Sequence, residues 1–427
     1  ALPIGCDNDH QMGIGGSSLN GARSTLPLVG FGRYEVGCVD VMVADGEEGD
    51  AGILARIFYP AESGTSSKSQ SDNYERPVWL PRREYLDGIA LYRNTTPRKI
   101  HFIFDWLVGE KRINVGWQRD VYARSQDTSS FPVVLFSHGL SACRHFYSIF
   151  CASLASYGFV VAAIEHRDHS ACWTFKLEVD PKSGNATERH INLRKLAPME
   201  NEFRIRNQQL HKRVTECVKL LHVLEEINMG QCAPAAKKQM GCKIILGQSF
   251  DWTQFKGRLD ISRTSIAGHS FGGATAIAAS AFSTDFTSAV VLDGWMLPVE
   301  RELYPRAQQP TLFLNASLFQ WSSNVRNMLK IGSNDTDKLL VTFNEAAHQS
   351  FTDFSLLSPG FFGRKLGLQG AVDPLRCMEA AVELTVQFLR RYSLGHEVDL
   401  TPTLERYQDF AFEGTNLDLD ESSTIAA

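Results

Sequence analysis

A serine flanked by glycines is the residue of this sequence best placed for nucleophilic chemistry. Residues 268–272 read Gly-His-Ser-Phe-Gly, and they lie between a short strand-like run (264–267) and a run of small residues that continues to about Ser280. In a G-x-S-x-G motif the chain turns so tightly from strand to helix that larger flanking residues would clash, and the serine hydroxyl becomes exposed. The alternative is a glycine-rich turn with an inert serine. The strand-to-helix context favours Ser270 as a nucleophile.

Ser270 needs a neighbouring base, because a serine hydroxyl is a weak nucleophile until its proton is removed. In proteins with this motif the base is a histidine that follows the acid in the chain. His348 lies just beyond the apolar run Leu339–Phe343 and fits that order. The other histidine downstream of the motif, His396, lies in a polar loop after the last predicted helix, so we expect it at the surface.

The third catalytic group is an acid that orients the histidine and stabilises its cation. Asp293 ends the apolar run Ser288–Leu292, and the next run, Pro310–Leu314, ends without a carboxylate. We therefore predict Asp293 as the acid, with a helix N-cap as its alternative role. The remaining carboxylates fit less well, because they lie in a polar loop or follow His348 too closely: Asp335, Asp337 and Asp353.

Two backbone amides are expected to stabilise the oxyanion formed when a serine attacks an ester. One belongs to the residue after the nucleophile, Phe271, and the other comes from the loop that follows an earlier strand. Pro132–Phe136 is such a strand, and the loop Ser137–Leu140 follows it, so Leu140 is the expected second donor. His138 lies in this loop and is expected to support it rather than to react.

A charged cluster, Glu-His-Arg-Asp at residues 165–168, follows another apolar run. It is a candidate metal or acid–base site, but its spacing does not suit a metal well. We favour an ion-pair network behind the oxyanion loop. No metal and no cofactor are expected.

The elements that position these residues are short apolar runs alternating with helical patterns. Continuous runs of this kind are typical of a parallel sheet buried on both faces, and such sheets carry their sites at the carboxyl ends of the strands. The expected class is α/β, with a mostly parallel central sheet and helices on both faces. We predict one catalytic domain over residues 26–415, with flexible segments at 1–25 and 416–427. The runs are Val36–Ala44, Gly52–Tyr59, Pro132–Phe136, Phe159–Ile164, Thr264–Ala267, Ser288–Leu292, Pro310–Leu314 and Leu339–Phe343, and the clearest helices are His145–Tyr157, Glu202–Ile227 and Arg376–Arg391.

Composition narrows the function classes. The net charge of −5 argues against a nucleic-acid partner. None of the nine cysteines forms a CxxC pair, so reduced, buried thiols are expected instead of a zinc site or a disulfide framework. No apolar run approaches the length of a transmembrane helix, and residues 1–11 lack the features of a signal peptide.

Several stretches resemble the platelet-activating factor acetylhydrolases of the plasma and type II intracellular kind, over a span from about Val36 to about Phe410. They are FSHGLSACRHFYS, EHRDHSA, IAGHSFGGAT and VVLDGWMLP. The resemblance implies an α/β-hydrolase fold and calcium-independent hydrolysis of the sn-2 acetyl or short, oxidised acyl group of phospholipids. It places the family's triad on Ser270, Asp293 and His348, and its oxyanion amides on Leu140 and Phe271. A general carboxylesterase or lipase is the alternative enzyme, and a non-catalytic binding domain is disfavoured because no triad member is missing.

The sequence departs from the family's pattern beside the site. The family's oxyanion loop usually reads GLGAFR, whereas this chain has Ser141 and Cys143 at the third and fifth positions. The family often has alanine where this chain has Gly294. These departures leave the expected mechanism intact and bear on the shape of the pocket, which we expect Trp295 and Gln349 to line.

Two aromatic segments with basic neighbours suit contact with a membrane, and the resemblance points to the same regions. They are Ile100–Val108 and Pro359–Leu368, and ordinary core packing is the alternative. We expect a phospholipid substrate at a membrane or lipoprotein surface, with peripheral contact through Phe104, Trp106, Leu107, Phe361 and Phe362.

The location in the cell is a further expectation from sequence. Residues 12–17 read Met-Gly-Ile-Gly-Gly-Ser, which matches a myristoylation pattern at Gly13 if Met12 is the true start. The alternative is an ordinary glycine- and serine-rich tail. We therefore expect a cytoplasmic enzyme with peripheral membrane association, and a secreted enzyme as the alternative.

Overall fold

The structure, a computed structural model, describes residues 25–44, 52–63, 74–123, 130–179, 186–234, 243–358 and 360–419. Gly13 and the myristoylation pattern around it lie outside the described residues. Within the described ranges, no helix combines the length and the apolar character that a membrane crossing requires.

The described residues form these strands: β1 (Thr25–Leu26), β2 (Glu35–Val43), β3 (Leu54–Ala61), β4 (Arg112–Ile113), β5 (Gly116–Trp117), β6 (Phe131–Ser137), β7 (Val160–Ile164), β8 (Trp173–Val179), β9 (Ala186–Asn192), β10 (Ala233–Pro234), β11 (Lys243–Leu246), β12 (Leu259–His269), β13 (Ala289–Leu292), β14 (Thr311–Ala316), β15 (Lys338–Phe343) and β16 (Ala411–Glu413). The α-helices are α1 (Glu84–Tyr92), α2 (Pro97–Leu107), α3 (Ser148–Ser156), α4 (Glu202–Met229), α5 (Phe271–Phe282), α6 (Ser322–Leu329), α7 (Phe354–Leu357), α8 (Gly360–Lys365), α9 (Pro374–Tyr392) and α10 (Thr401–Arg406). Short 3₁₀ turns cover Arg144–Tyr147, Trp252–Phe255, Arg301–Arg306 and His348–Phe351.

The central sheet has 12 strands, in the order β10-β11-β2-β3-β7-β6-β12-β13-β14-β15-β16 with β5 beside β2. The strands from β7 to β15 in this order run parallel. The pairs β11–β2, β2–β3, β3–β7 and β15–β16 are antiparallel, and β5 pairs parallel with β2. Every residue of β7 and of β13 is buried, as expected for parallel strands covered on both faces. The predicted α/β class with a mostly parallel sheet is confirmed.

Helices cover both faces of the sheet, and the side chains of each strand alternate between them. In β6, Val134 and Phe136 join the hydrophobic cluster that contains α3 and α9. Val133 and Leu135 of the same strand join the opposite cluster, which contains α4 and α5. This alternation follows from the two-residue repeat of a strand, and it places two apolar layers around one sheet.

The polar connection after β7 contains an element that the apolar pattern did not indicate. β8 and β9 pair antiparallel as a separate hairpin outside the central sheet. Most residues of β9 are exposed, so the strand lacks the alternating apolar pattern that would identify it. Side chains from outside hold the hairpin, since Arg82 bonds Glu188 at 2.8 Å and stacks 4.6 Å above the ring of Trp173.

Residues just outside both ends of the predicted catalytic domain contact the rest of the fold. Thr25 pairs with Arg112 in a small parallel sheet, so it belongs to the folded domain. Leu417 and Leu419 pack against the core, and Arg326 donates a hydrogen bond to the carbonyl oxygen of Leu419 at 3.1 Å. Residues 416–419 belong to the segment predicted to be flexible, and their alternate leucines give them an apolar face. Residues 1–24 and 420–427 lie outside the described residues.

The cysteines of the described residues are buried thiols with one exception. Burial raises the pKa of the Cys377 thiol to about 12, so this thiol stays protonated at neutral pH and packs as an apolar group. Cys232 is disulfide-bonded, which the expectation of reduced cysteines missed. The free, buried cysteines are Cys38, Cys143, Cys151, Cys172, Cys217 and Cys377.

Candidate active site

Ser270 lies at the turn between β12 and α5 in a strained backbone conformation. Its φ of 56° and ψ of −116° fall in a region that residues with a Cβ rarely adopt. Packing explains the flanking glycines. A Cβ on Gly268 would lie 2.1 Å from the carbonyl oxygen of Gly272, and a Cβ on Gly272 would lie 1.9 Å from that of Ser137. The turn therefore presents Ser270 at the carboxyl end of β12 and at the N-terminus of α5.

Asp293 and His348 form a hydrogen bond at the same edge of the sheet. Nδ1 of His348 donates to Oδ2 of Asp293 at 2.6 Å. The Asp293 side chain is fully buried, whereas the His348 side chain keeps 19% of its surface exposed. Because Nδ1 is bonded to the acid, Nε2 is the ring nitrogen left to exchange a proton.

Contacts through neighbouring residues bring Ser270 to this pair. β12 and β13 are adjacent, and the amide of Trp295 donates to the carbonyl oxygen of Ser270 at 3.0 Å. The ring of His269, directly before Ser270, lies 4.4 Å from the ring of His348 between centroids. The three residues predicted as a triad thus meet at one edge of the sheet.

The end of β14 and the loop after it contribute residues that the sequence pattern does not single out. The amide of Ala316 donates to Oδ1 of Asp293 at 2.9 Å, and Nε2 of Gln320 donates to the same oxygen. The ring of Phe319 stacks on His348 with centroids 3.6 Å apart. Because this loop contains no carboxylate, the sequence pattern does not predict it as part of the site. The position of β14 between β13 and β15 could have predicted this contact, because the loop after β14 must then lie between Asp293 and His348.

The loop predicted to supply an oxyanion amide lies against Ser270. A Cβ on Gly139 would lie 3.3 Å from Cβ of Ser270, so the loop backbone approaches closely. Among the described residues, the amides of Leu140 and Phe271 have no hydrogen-bond acceptor. Two unpaired amide donors near Ser270 would suit the developing charge of a tetrahedral intermediate.

A chain of hydrogen bonds connects the predicted oxyanion loop to His348. The amide of Gly139 donates to the Tyr147 hydroxyl at 3.0 Å, and that hydroxyl bonds Nδ1 of His269 at 2.9 Å. Nε2 of His269 bonds the carbonyl oxygen of His348 at 3.0 Å. Burial lowers the pKa of His269 well below its usual range, so its ring is neutral, with Nδ1 accepting and Nε2 donating.

His269, Asp293 and His348 are also the group of described residues whose donor atoms are close enough for a metal, within 4.8 Å of one another. The donor set does not fit an ion, because both ring nitrogens of His269 already have protein partners. Nδ1 of His348 is likewise bonded to the acid. The hydrogen-bonded pair of Asp293 and His348 beside Ser270 is the arrangement expected of an acid–base relay.

The charged cluster at 165–168 forms ion pairs behind the oxyanion loop. Glu165 accepts a bond from the amide of Arg144 at 2.8 Å and pairs with its guanidinium at 3.2 Å. Asp168 pairs with Arg213 at 3.2 Å, and all four of these side chains are buried. The structure therefore places this cluster as the ion-pair network we favoured, and not as a metal cage.

His166 forms a second arrangement of serine, histidine and carboxylate. Its Nε2 lies 2.7 Å from Oγ of Ser137, and its Nδ1 lies 2.6 Å from Oε2 of Glu216. Burial raises the pKa of Glu216 to about 6. Ser137 is the last residue of β6 and is fully buried, as is His166, so a substrate has no access to this group. Its role is structural, and access distinguishes it from the site at Ser270.

The two predicted pocket residues lie beside the catalytic ones. Trp295 is half-buried and packs its ring edgewise against Phe271, with centroids 5.7 Å apart. Gln349 is half-buried and accepts a hydrogen bond from the Thr352 hydroxyl at 3.1 Å. Both positions suit a pocket wall, which stays a prediction.

The two aromatic segments predicted to contact a membrane contain both exposed and buried side chains, and the membrane contact itself stays a prediction. Phe104 is half-buried and stacks on Trp79 with ring centroids 6.1 Å apart, and Leu107 is buried at 5% exposed, so Leu107 does not face solvent. The opposite face of α2 carries Phe102, at 70% exposed, together with Ile103 and Trp106. The sequence showed an apolar segment but not which helical face would meet the core. In α8, Phe361 is 69% exposed, and Phe362 is half-buried and packs edgewise on Trp106.

The sequence matches the family model described as platelet-activating factor acetylhydrolase, isoform II, over residues 21–409. A platelet-activating factor acetylhydrolase of Gallus gallus is 34% identical and covers 96% of this chain and 93% of its own length. That of Canis lupus familiaris is 32% identical and covers 94% and 86%. A putative phospholipase A2 of Schizosaccharomyces pombe is 25% identical, with coverage of 79% and 83%.

A solved structure supports the same fold. The ferulic acid esterase from Streptomyces cinnamoneus superposes with a TM-score of 0.58 at 17% identity, covering 92% of this chain and 100% of that one. At this identity the likeness bears on the fold, and it agrees with the α/β-hydrolase architecture built from the strands above. With the family match across most of the sequence, it follows that the chain belongs to the platelet-activating factor acetylhydrolase family.

Proposed function

We propose that this serine esterase hydrolyses the sn-2 acetyl or short, oxidised acyl group of platelet-activating factor and related phospholipids without calcium. The observation that carries the catalytic part is the 2.6 Å bond between Asp293 and His348 beside the elbow serine. Membership of the family supports the substrate class.

In the proposed mechanism, Oγ of Ser270 attacks the sn-2 carbonyl carbon while Nε2 of His348 takes the hydroxyl proton. Asp293 holds Nδ1–H and stabilises the imidazolium. The tetrahedral intermediate then breaks its bond to the glycerol oxygen, which leaves with the proton from His348. Water, deprotonated by the same nitrogen, attacks the acyl-enzyme and releases the acid, so that Ser270 recovers its proton.

The amides of Leu140 and Phe271 supply the proposed oxyanion hole. Both donate from fixed backbone positions, so they need little reorganisation when charge develops on the carbonyl oxygen. The N-terminus of α5 adds a favourable dipole at the same point, because Phe271 is its first residue.

We further propose that exposed apolar residues of α2 and α8 make peripheral contact with a lipid surface. Four side chains of these helices are each more than 40% exposed: Phe102, Ile103, Trp106 and Phe361. The contact between Trp106 and Phe362 joins the two helices into one apolar patch. Lys99, Arg364 and Lys365 lie in the same helices and suit anionic headgroups. Cytoplasmic location with peripheral membrane association is the corresponding proposal for the cell, with secretion as the alternative.

The substrate class is tested with purified enzyme on phosphatidylcholines of graded sn-2 length, on platelet-activating factor and on a triglyceride. We expect turnover to fall as the sn-2 chain lengthens, to be negligible on the triglyceride and to be unchanged in EDTA. Preference for the triglyceride would identify a general lipase instead. Activity lost in EDTA and restored by calcium would reject the metal-free mechanism.

A further inference from the structure

Arg213 is a fully buried arginine on α4 whose guanidinium reaches the oxyanion loop. Its Nη1 donates to the carbonyl oxygen of His138 at 2.6 Å, and its Nη2 lies 3.5 Å from that of Gly139. On the other side, Nε bonds Asp168 at 3.2 Å, and Nη2 bonds the Ser170 hydroxyl at 2.6 Å. The guanidinium is thus fixed in orientation, and it binds the loop through two backbone carbonyl oxygens.

These bonds determine where the amide of Leu140 points. In a trans peptide the C=O and N–H groups point in opposite directions, and none of the described peptide bonds is cis. The carbonyl oxygen of Gly139 is held by Arg213 and, at 2.8 Å, by Nδ1 of His138. The N–H of Leu140, in the same peptide unit, is therefore directed away from Arg213 and left unpaired.

The preceding peptide unit is held on both sides. Arg213 bonds the carbonyl oxygen of His138, and the amide of Gly139, in the same unit, donates to the Tyr147 hydroxyl at 3.0 Å. Burial lowers the pKa of His138 well below its usual range, so its ring is neutral and Nε2 accepts from the amide of His166 at 3.1 Å. The loop has little freedom to rotate its peptides.

Arg213 also contacts the second predicted donor of the oxyanion hole. Its guanidinium carbon lies 4.2 Å from the ring centroid of Phe271, a cation–π contact between two buried side chains. One side chain on α4 therefore touches both the loop that carries the amide of Leu140 and the residue that carries the amide of Phe271.

We propose that Arg213 is the positioning residue of the oxyanion hole, an inference that rests on the proposed serine-esterase function. It sets the distance and direction of the two amides, and it does not contact the substrate. Lysine cannot replace it, because an ammonium lacks the planar fork that bonds two carbonyl oxygens and a carboxylate at once. The ring contact with Phe271 also requires a flat cation.

The test compares Arg213→Lys with Arg206→Lys. Arg206 is a matched control, because it lies on the same helix, is 4% exposed, and bonds Gln209 instead of the loop. The readouts are kcat and KM on a soluble short-chain ester, the rate of fluorophosphonate labelling and a thermal melt. None of them depends on which phospholipid is the natural substrate, so they separate this proposal from the substrate assignment.

We expect Arg213→Lys to lower kcat by about 10²-fold, the scale for losing one oxyanion donor, with KM changed less than about twofold. Labelling should slow in parallel, since phosphonylation also places an oxygen in the hole, while Arg206→Lys keeps kcat within about twofold. Equal losses in the two variants, or a loss that follows the folded fraction in the melt, would overturn the proposal.

A double variant, Arg213→Gln with Asp168→Asn, removes both charges and so leaves no unpaired buried ion. It should fold and show the same selective loss of kcat. Wild-type kcat in a folded double variant rejects the positioning role. If both Arg213 variants fail to fold while Arg206→Lys folds, Arg213 is required for folding, and its positioning role is rejected as well.

Discussion

Oδ2 of Asp293 lies 2.6 Å from Nδ1 of His348, although 55 residues separate them in the chain. β13 and β15 flank β14, so the acid and the base follow strands that are not direct neighbours. The end of β14 and the loop after it lie between them, where Ala316 and Gln320 donate to the other carboxylate oxygen of Asp293. Asp293 can therefore reach His348 although it follows β13 and not β14, and both of its carboxylate oxygens accept hydrogen bonds.

Replacing the triad residues should remove catalysis and preserve the fold. We expect Ser270→Ala to abolish fluorophosphonate labelling, and Asp293→Asn to lower kcat by roughly 10⁴-fold on the triad template. Combining either His348→Ala or Asp293→Asn with Ser270→Ala should be no worse than Ser270→Ala alone, because a triad acts as a unit. Persistent labelling of Ser270→Ala would point to another serine, and near-normal activity of Asp293→Asn would point to another acid.

Gln320→Leu should weaken the acid without removing it. The substitution deletes one donor to Oδ1 of Asp293, so the carboxylate loses orientation while its bond to His348 remains. We expect kcat on a soluble ester to fall by about 10-fold, the scale of one hydrogen bond to a charged group, with KM nearly constant. An unchanged kcat would show that the amide of Ala316 alone is sufficient.

Ser141→Gly should stabilise the protein. Ser141 has a φ of 55°, and its buried hydroxyl has no hydrogen-bond partner among the described residues. Glycine adopts this φ without strain, which explains why the family usually has glycine at this loop position. We expect a gain of about 1 kcal/mol in the free energy of unfolding, measured by urea denaturation, with kcat unchanged. A lower stability would mean that the hydroxyl finds a partner in solution.

The two faces of α2 should separate lipid contact from packing. Phe102→Ser and Trp106→Ser should weaken vesicle binding, since burying each ring in lipid is worth roughly 1.5–3 kcal/mol, and should spare activity on a soluble ester. Phe104→Ser is the matched control. Phe104 is half-buried and stacks on the buried Trp79, so its replacement should lower the melting temperature and both activities together. Equal behaviour of the three variants would reject a lipid-binding patch.

Asp353 should make stability depend on pH. Burial raises its pKa to about 7, against the pull of the Trp79, Ser148 and Ile149 donors that favour the charged form. Between about pH 4, the ordinary pKa of aspartate, and pH 7 the folded state binds a proton that the unfolded state does not, so this group's contribution falls as pH rises. Asp353→Asn should flatten that slope in urea midpoints between pH 5 and 8 and lower stability throughout. If the pH dependence of stability is unchanged in Asp353→Asn, it arises from another group, and Glu216 is the next candidate.

The sequence was sufficient for the parts of the fold and site that depend on local pattern. The elbow around Ser270 and the buried parallel strands are encoded in consecutive residues, and the structure places them as predicted. The hairpin β8–β9 was missed because β9 has no apolar repeat. Sequence spacing does not reveal the long-range contacts of Arg213, Gln320 and Phe319. The stacking of Phe104 on Trp79 likewise depends on how α2 packs, which the sequence of α2 alone does not determine.

The hydrogen-bond chain from Gly139 through Tyr147 and His269 to His348 has a consequence for turnover. It ties the segment that would receive the negative charge to the segment that would receive the proton. Neither can shift alone, so the geometry is preorganised during folding and little ordering is left for substrate binding to drive. Mobility in this enzyme should then be concentrated where lipid enters and leaves, and slow steps should be sought there before they are sought in the chemistry.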